Sequence, residues 1–75
     1  MRIQLNNEQQ QMLQKVGITI VPDKDYSDNE AFDLLERVYD TEVRYAQTAD
    51  TDSAARRLAK EYAVIADSIQ RQIPE

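Results

Sequence analysis

The chain has 75 residues, of which 41% are hydrophobic, 31% charged and 7% aromatic, and its formal net charge is -5. A chain of this length has room for one domain, because single domains run from about 50 to 250 residues. Its hydrophobic content is too high for a disordered tail. Histidine, cysteine and tryptophan are absent. This composition excludes Cys/His zinc sites, thiolate nucleophiles, haem ligation and His-activated serines built from this chain alone.

Negative charge is concentrated in the middle of the chain. Residues 23–52 hold ten acidic residues against Lys24, Arg37 and Arg44, a net charge of -7, and each flank carries +1. An acidic middle disfavours nucleic acid, because attraction to phosphate supplies most non-specific affinity. No segment nears the roughly 18 apolar residues that span a bilayer, and the N-terminus lacks the pattern of a signal peptide. We therefore expect a cytoplasmic protein that binds neither nucleic acid nor a membrane directly.

The first predicted element is a short helix over residues 7–16. Asn6 is placed to cap its first amides, and Gln9, three residues further on, completes the spacing of a capping box. The only glycine of the chain, Gly17, stands where a left-handed C-terminal cap is expected.

The two segments that flank this helix have an extended pattern. Residues 2–5 alternate polar and apolar side chains, and residues 18–21 are mostly apolar. Pro22 disfavours helical geometry at Val21. The pattern permits a two-stranded ribbon that pairs residues 2–5 with residues 18–21, although both runs are short.

Two longer helices are predicted in the rest of the chain. Ser27 and Glu30 have the capping-box spacing and predict a helix from about residue 28 to residue 47. No glycine or proline interrupts residues 53–72, which predict the third helix. The alternating steps of three and four in its apolar positions favour a shallow antiparallel crossing. We therefore predict an all-α fold, a long antiparallel helical hairpin with the short helix packed on the end that holds the bulky residues Leu34, Leu35, Ile65, Ile69 and Ile73.

The acidic segment that precedes the second helix resembles the start of a calcium-binding loop. Asp23, Asp25 and Ser27 occupy alternate positions, as in an EF-hand. Asp28 stands where that loop needs glycine, and Leu34 where it needs a bidentate glutamate. We therefore assign no metal and no cofactor. A hairpin this small offers no evident cleft, so no catalytic residue is assigned either.

Three basic residues lie in the first turns of the third helix, where the helix dipole disfavours cations. They are Arg56, Arg57 and Lys60. Two interpretations remain open. Either an anion or a partner binds there, or neighbouring acidic side chains neutralise the three cations; the candidates are Asp40, Glu42, Asp52 and Glu61.

Two stretches of the first half carry a resemblance. One runs from Leu5-Asn6-Asn7-Glu8 through Leu13 to Gly17-Ile18, and the other is Asp25-Tyr26-Ser27-Asp28-Asn29-Glu30. Together they resemble a family of short, acidic, uncharacterised proteins of Gram-positive bacteria. The resemblance implies a bacterial protein, but it implies no activity, substrate or catalytic residue.

Size and aromatic content favour a role in protein association. Four of the five aromatic residues are tyrosines, which are favoured at interfaces. A chain this short, without a disulfide, commonly gains stability by associating. The leading hypothesis is a non-enzymatic interaction protein, either a homodimer or a small subunit that binds another protein. Its predicted contact surface comprises Tyr39, Val43, Tyr45, Ala46, Leu58 and Tyr62, although the three tyrosines also fit the edge of the core.

The alternative hypothesis uses the acidic side of the second helix. Asp33, Glu36 and Asp40 would bind the basic surface of a nucleic-acid-binding protein. Salt separates the two hypotheses, because ionic strength weakens an electrostatic contact more than an apolar one.

Overall fold

The computed structural model describes residues 1–74 and contains three α-helices. These are α1 (Asn7–Lys15), α2 (Asp28–Gln47) and α3 (Ser53–Gln72). The structure confirms the all-α helical hairpin, in which α2 and α3 pack together extensively. Helices α2 and α3 have the predicted bounds, and α1 ends one residue early because Val16 is its C-cap.

The predicted caps of α1 and α2 form as hydrogen-bonded motifs. The Gln9 N–H donates to the Asn6 side chain at 2.8 Å, and the Asn6 N–H donates to the Gln9 side chain at 3.1 Å. The same reciprocal pair joins Ser27 and Glu30, with both distances 3.2 Å. Two orphan amides are thus satisfied at the start of each of these helices.

Gly17 ends α1 in the left-handed conformation that its position predicts. Its φ is +79°, and its N–H donates to the Gln14 carbonyl at 3.1 Å. The Ile18 N–H reaches back to the Leu13 carbonyl at 2.9 Å. These two bonds define a Schellman motif, which satisfies carbonyls that the helix leaves unpaired. The motif also directs the chain back toward the hairpin, where Ile18 is buried.

The hydrophobic core lies between the hairpin and the N-terminal segment, residues 1–26. The five bulky residues predicted for this end, from Leu34 to Ile73, are all buried there. Ile3, Leu13, Ile18, Ile20 and Tyr26 supply the opposing side. Toward the loop that joins α2 to α3, the buried residues of α3 are Ala55 and Ala59, so α3 contributes small side chains to the packing at this end.

The ribbon between residues 2–5 and 18–21 does not form, and residues 1–74 contain no β-strand. Of the apolar side chains that suggested strands, Ile3, Ile18 and Ile20 are buried, but the backbone groups of these segments hydrogen-bond to other partners. The Gln72 side chain accepts from the Gln4 N–H at 2.7 Å and donates to the Gln4 carbonyl at 2.9 Å. The Tyr26 hydroxyl accepts from the Val21 N–H at 2.9 Å. Side chains thus satisfy backbone groups that a strand ladder would otherwise pair.

The N-terminal segment covers one side of the hairpin. Residues 16–18 lie beside Arg37, Thr41 and Arg44 of α2. The α1 residues Gln9 and Met12 lie beside Val64 and Ile65 of α3. The opposite side of α2 and α3 has no such cover within residues 1–74.

Candidate interaction surface

Exposed apolar side chains are concentrated on the uncovered side of α2. The large exposed hydrophobic residues within residues 1–74 are Val21, Phe32, Tyr39, Val43 and Val64. Phe32, Tyr39 and Val43 are 49%, 38% and 52% exposed, and all three lie on α2. Their spacing of seven and four residues places them on one helical face. Ala46, also exposed, continues that face. We call these four residues the α2 stripe.

The α2 stripe borders α3 on the side away from α1. The Tyr39 hydroxyl donates to the Gln70 side-chain oxygen at 2.9 Å. Phe32 lines a shallow groove together with Gln70, Ile73 and Pro74. The stripe therefore forms one edge of an open face between the two helices rather than an isolated row of side chains.

The six residues predicted as a contact surface divide into two groups. Tyr39, Val43 and Ala46 belong to the α2 stripe, whereas Tyr45, Leu58 and Tyr62 pack against or within the core. Tyr62 is 1% exposed, and its hydroxyl donates to the Met12 carbonyl at 2.7 Å. Burial raises the pKa of Tyr62 above its ordinary value. The structure thus does not bring the six residues together on one accessible surface.

Phe32 is the member of the stripe that the sequence prediction omitted. It lies seven residues before Tyr39, so the helical period already placed the two residues on one face. The omission arose because the stripe is a second apolar face, offset from the broader face that supplies the core.

The acidic residues of the alternative hypothesis lie beside the α2 stripe. Asp33, Glu36 and Asp40 are exposed and follow one another at steps of three and four residues, which places them along one side of α2. None of them takes part in an ion pair within residues 1–74. The ion pairs found there are Met1–Asp25, Lys24–Glu30 and Asp67–Arg71.

The basic residues at the start of α3 also lack ion pairs within the described part of the chain. Arg56, Arg57 and Lys60 are exposed, and the Arg56 guanidinium donates to the Ala49 carbonyl at 3.3 Å. Asp52 instead caps α3 by accepting from the Ala54 N–H at 2.9 Å. Of the two interpretations, neutralisation by direct ion pairs with Asp40, Glu42, Asp52 or Glu61 is not found within residues 1–74.

The segment before α2 forms ion pairs that connect it to the N-terminus and to the first turn of α2. The Asp25 carboxylate accepts from the N-terminal ammonium of Met1, which lowers the pKa of Asp25. Lys24 pairs with Glu30 at 2.9 Å, and this hydrogen bond raises the pKa of Lys24 and lowers that of Glu30. Nowhere in residues 1–74 do three acidic side chains gather into a group that could hold a metal ion.

Comparisons with protein-family models, with curated proteins and with solved structures find no match to this chain. The resemblance to short acidic proteins of Gram-positive bacteria stays a prediction. Of the three helices described, none is both long and apolar enough to cross a bilayer. The fold and its surface define a small all-α domain, a helical hairpin covered on one side and open on the other.

Proposed function

We propose that the protein is a non-enzymatic, cytoplasmic interaction module that binds protein through the α2 stripe. One observation carries the proposal. Three large apolar side chains, each at least one third exposed, lie in line on the side of the hairpin that the N-terminal segment leaves open. Apolar surface gathered in this way marks interaction sites, whereas single exposed hydrophobic residues are ordinary.

The spacing of the stripe suits an α-helical partner surface. Phe32, Tyr39, Val43 and Ala46 follow the alternating three-and-four repeat of a helix-packing seam, with Glu36 at the missing position. Burying a large apolar side chain completely contributes about 1.5–3 kcal/mol. Because the side chains of the α2 stripe are still partly exposed, burying them against a partner would contribute a substantial part of this free energy to association.

A charge placed in the centre of the stripe tests the proposal. The Val43→Glu variant is expected to abolish complex formation in sedimentation velocity and in affinity capture from the native cells, with an unchanged thermal melt. Val64→Glu is the matched control, because Val64 is 62% exposed but lies on α3 beside α1. If Val43→Glu forms every complex that the wild-type chain forms, the stripe is not the contact surface.

A second candidate function rests on the exposed, unpaired carboxylates of Asp33, Glu36 and Asp40. In this case the protein is an acidic regulator of a nucleic-acid-binding protein, and its affinity depends on long-range attraction. A triple variant that carries Asp33→Asn, Glu36→Gln and Asp40→Asn is expected to lose the salt dependence of binding. A complex that survives both this replacement and raised salt would contradict this function.

A further inference from the structure

Charge is divided unevenly between the two ends of the hairpin. We define the loop end as residues 41–60, which carry three acidic and four basic residues and a net charge of +1. The acidic end comprises residues 28–40 and 61–74, which carry seven acidic and two basic residues and a net charge of -5. The antiparallel packing of α2 and α3 keeps these two groups at opposite ends of the molecule.

We propose that the occupant of the α2 stripe is a second copy of this chain, packed antiparallel about a two-fold axis perpendicular to the helices. This inference rests on the proposed function, which assigns the stripe as a contact surface. A two-fold contact uses the same patch on both copies. The charge pattern of the patch must therefore be complementary to the same pattern on the rotated second copy.

The charge pattern distinguishes the two ways of stacking the open faces. A two-fold axis parallel to the helices would place the acidic end of one copy over the acidic end of the other. The perpendicular axis places each acidic end over a loop end, so opposite net charges meet twice. Electrostatic complementarity of this kind fixes the orientation of an interface and suppresses wrong arrangements.

The unpaired side chains fit the same arrangement. Asp33, Glu36 and Asp40 belong to the acidic end, and Arg56, Arg57 and Lys60 belong to the loop end. Within one chain the two groups make no ion pair, as the three pairs found in residues 1–74 involve other residues. With Tyr39 at the two-fold axis, antiparallel packing places Asp33 of each copy over the loop end of the other copy, whereas Glu36 and Asp40 lie within three residues of the axis. The three cations, which the dipole of α3 disfavours within one chain, would then attract the acidic end of the second copy.

The side chains of the stripe are also arranged for antiparallel packing. Phe32 and Ala46 lie seven residues on either side of Tyr39. With Tyr39 at the two-fold axis, Phe32 of one copy faces Ala46 of the other. Helices pack well when a large side chain meets a small one.

Charge reversal in the single variants tests the orientation, because an axis parallel to the helices would make the first of the two variants below dimerise more tightly rather than more weakly. Mixing the two variants tests whether opposite charges stabilise the contact. One variant carries Asp33→Lys, Glu36→Lys and Asp40→Lys, and the other carries Arg56→Glu, Arg57→Glu and Lys60→Glu. At low ionic strength each variant alone is expected to dimerise at least about tenfold more weakly than the wild-type chain, because like charges then meet at both ends. An equimolar mixture is expected to form a heterodimer with near wild-type affinity, measured by native mass spectrometry with thermal melts as folding controls.

The outcomes separate this inference from the proposed function. A mixture that stays as weakly associated as its components, or single variants that dimerise like the wild type, overturns the antiparallel arrangement. A wild-type chain that is monomeric but loses another partner on Val43→Glu substitution overturns self-association and leaves the proposed function standing. If Val43→Glu changes neither self-association nor any other complex, the proposed function fails as well.

Discussion

The ring of Tyr45 lies parallel to the ring of Tyr62, with the ring centroids 5.5 Å apart and an interplanar angle of 3°. The Tyr62 hydroxyl at the same time donates to the Met12 carbonyl at 2.7 Å. Met12 is among the last four residues of α1, whose carbonyls lack a partner within the helix. A single side chain of α3 thus contacts α2 through its ring and caps α1 through its hydroxyl.

The hydroxyl of Tyr62 is expected to contribute to stability on its own. Tyr62→Phe keeps the stacked ring but leaves the Met12 carbonyl without its donor, so the free energy of unfolding should fall by about 1–3 kcal/mol. Tyr45→Phe is the matched control, because it preserves the same ring pair and no hydrogen bond of the Tyr45 hydroxyl is found within residues 1–74. Urea unfolding of both variants measures the difference; equal midpoints would contradict the capping role.

The same residue predicts a dependence of stability on alkaline pH. Burial raises the pKa of the Tyr62 hydroxyl in the folded state. In the unfolded chain the same hydroxyl has the ordinary tyrosine pKa of about 10. Above that pH the unfolded state loses its proton first and is favoured, so stability is retained below about pH 10 and declines as the pH rises further. Unfolding curves of wild type and Tyr62→Phe should therefore converge with increasing pH. A difference that is constant between neutral and alkaline pH would oppose this prediction.

Gly17 offers a test of backbone conformation without a packing change. A Cβ added at this position would meet no atom within 4 Å, but φ is +79°. Gly17→Ala should therefore lower the free energy of unfolding by about 1–2 kcal/mol through the left-handed backbone alone. Gly17→Asn should cost less, because asparagine tolerates this conformation better. Thermal melts of the two variants give the comparison, and equal losses would show that another factor dominates.

The contact between Gln4 and Gln72 predicts local protection of one amide. The Gln72 side chain accepts from the Gln4 N–H, so Gln72→Ala should accelerate hydrogen exchange at Gln4. Gln70→Ala is the control, since Gln70 bonds to Tyr39 at the open face instead. Exchange at Gln4 that is equally slow in both variants would show that another group protects this amide.

Much of the secondary structure was predictable because its signals are local. Asn6 with Gln9, and Ser27 with Glu30, form their hydrogen bonds over three residues, so spacing alone indicates the helix starts. Gly17 marks a helix end for an equally local reason, its left-handed backbone. The bounds of α2 and α3 followed from such signals and from unbroken helical periodicity.

The parts that were not predicted depend on residues distant in the chain. The ribbon failed because Gln4 pairs with the side chain of Gln72, 68 positions away, and no short pattern reveals such a partner. The predicted contact surface combines exposed and buried residues because α2 has two apolar faces. Periodicity groups Tyr39 with Val43, but it does not show which side of the hairpin α1 covers, and so it does not separate the buried Tyr62 from the exposed Phe32.

Separation along the chain also sets an expected order of folding. Helices α2 and α3 are joined by a short loop and meet along their lengths, so little chain entropy opposes their pairing. The bonds from Gln72 to Gln4 and from Tyr62 to Met12 close loops of 68 and 50 positions. Long closures gain their stabilisation only after the intervening chain is in place. The N-terminal segment is therefore expected to pack on the hairpin last during folding and to detach first during unfolding, as one cooperative unit.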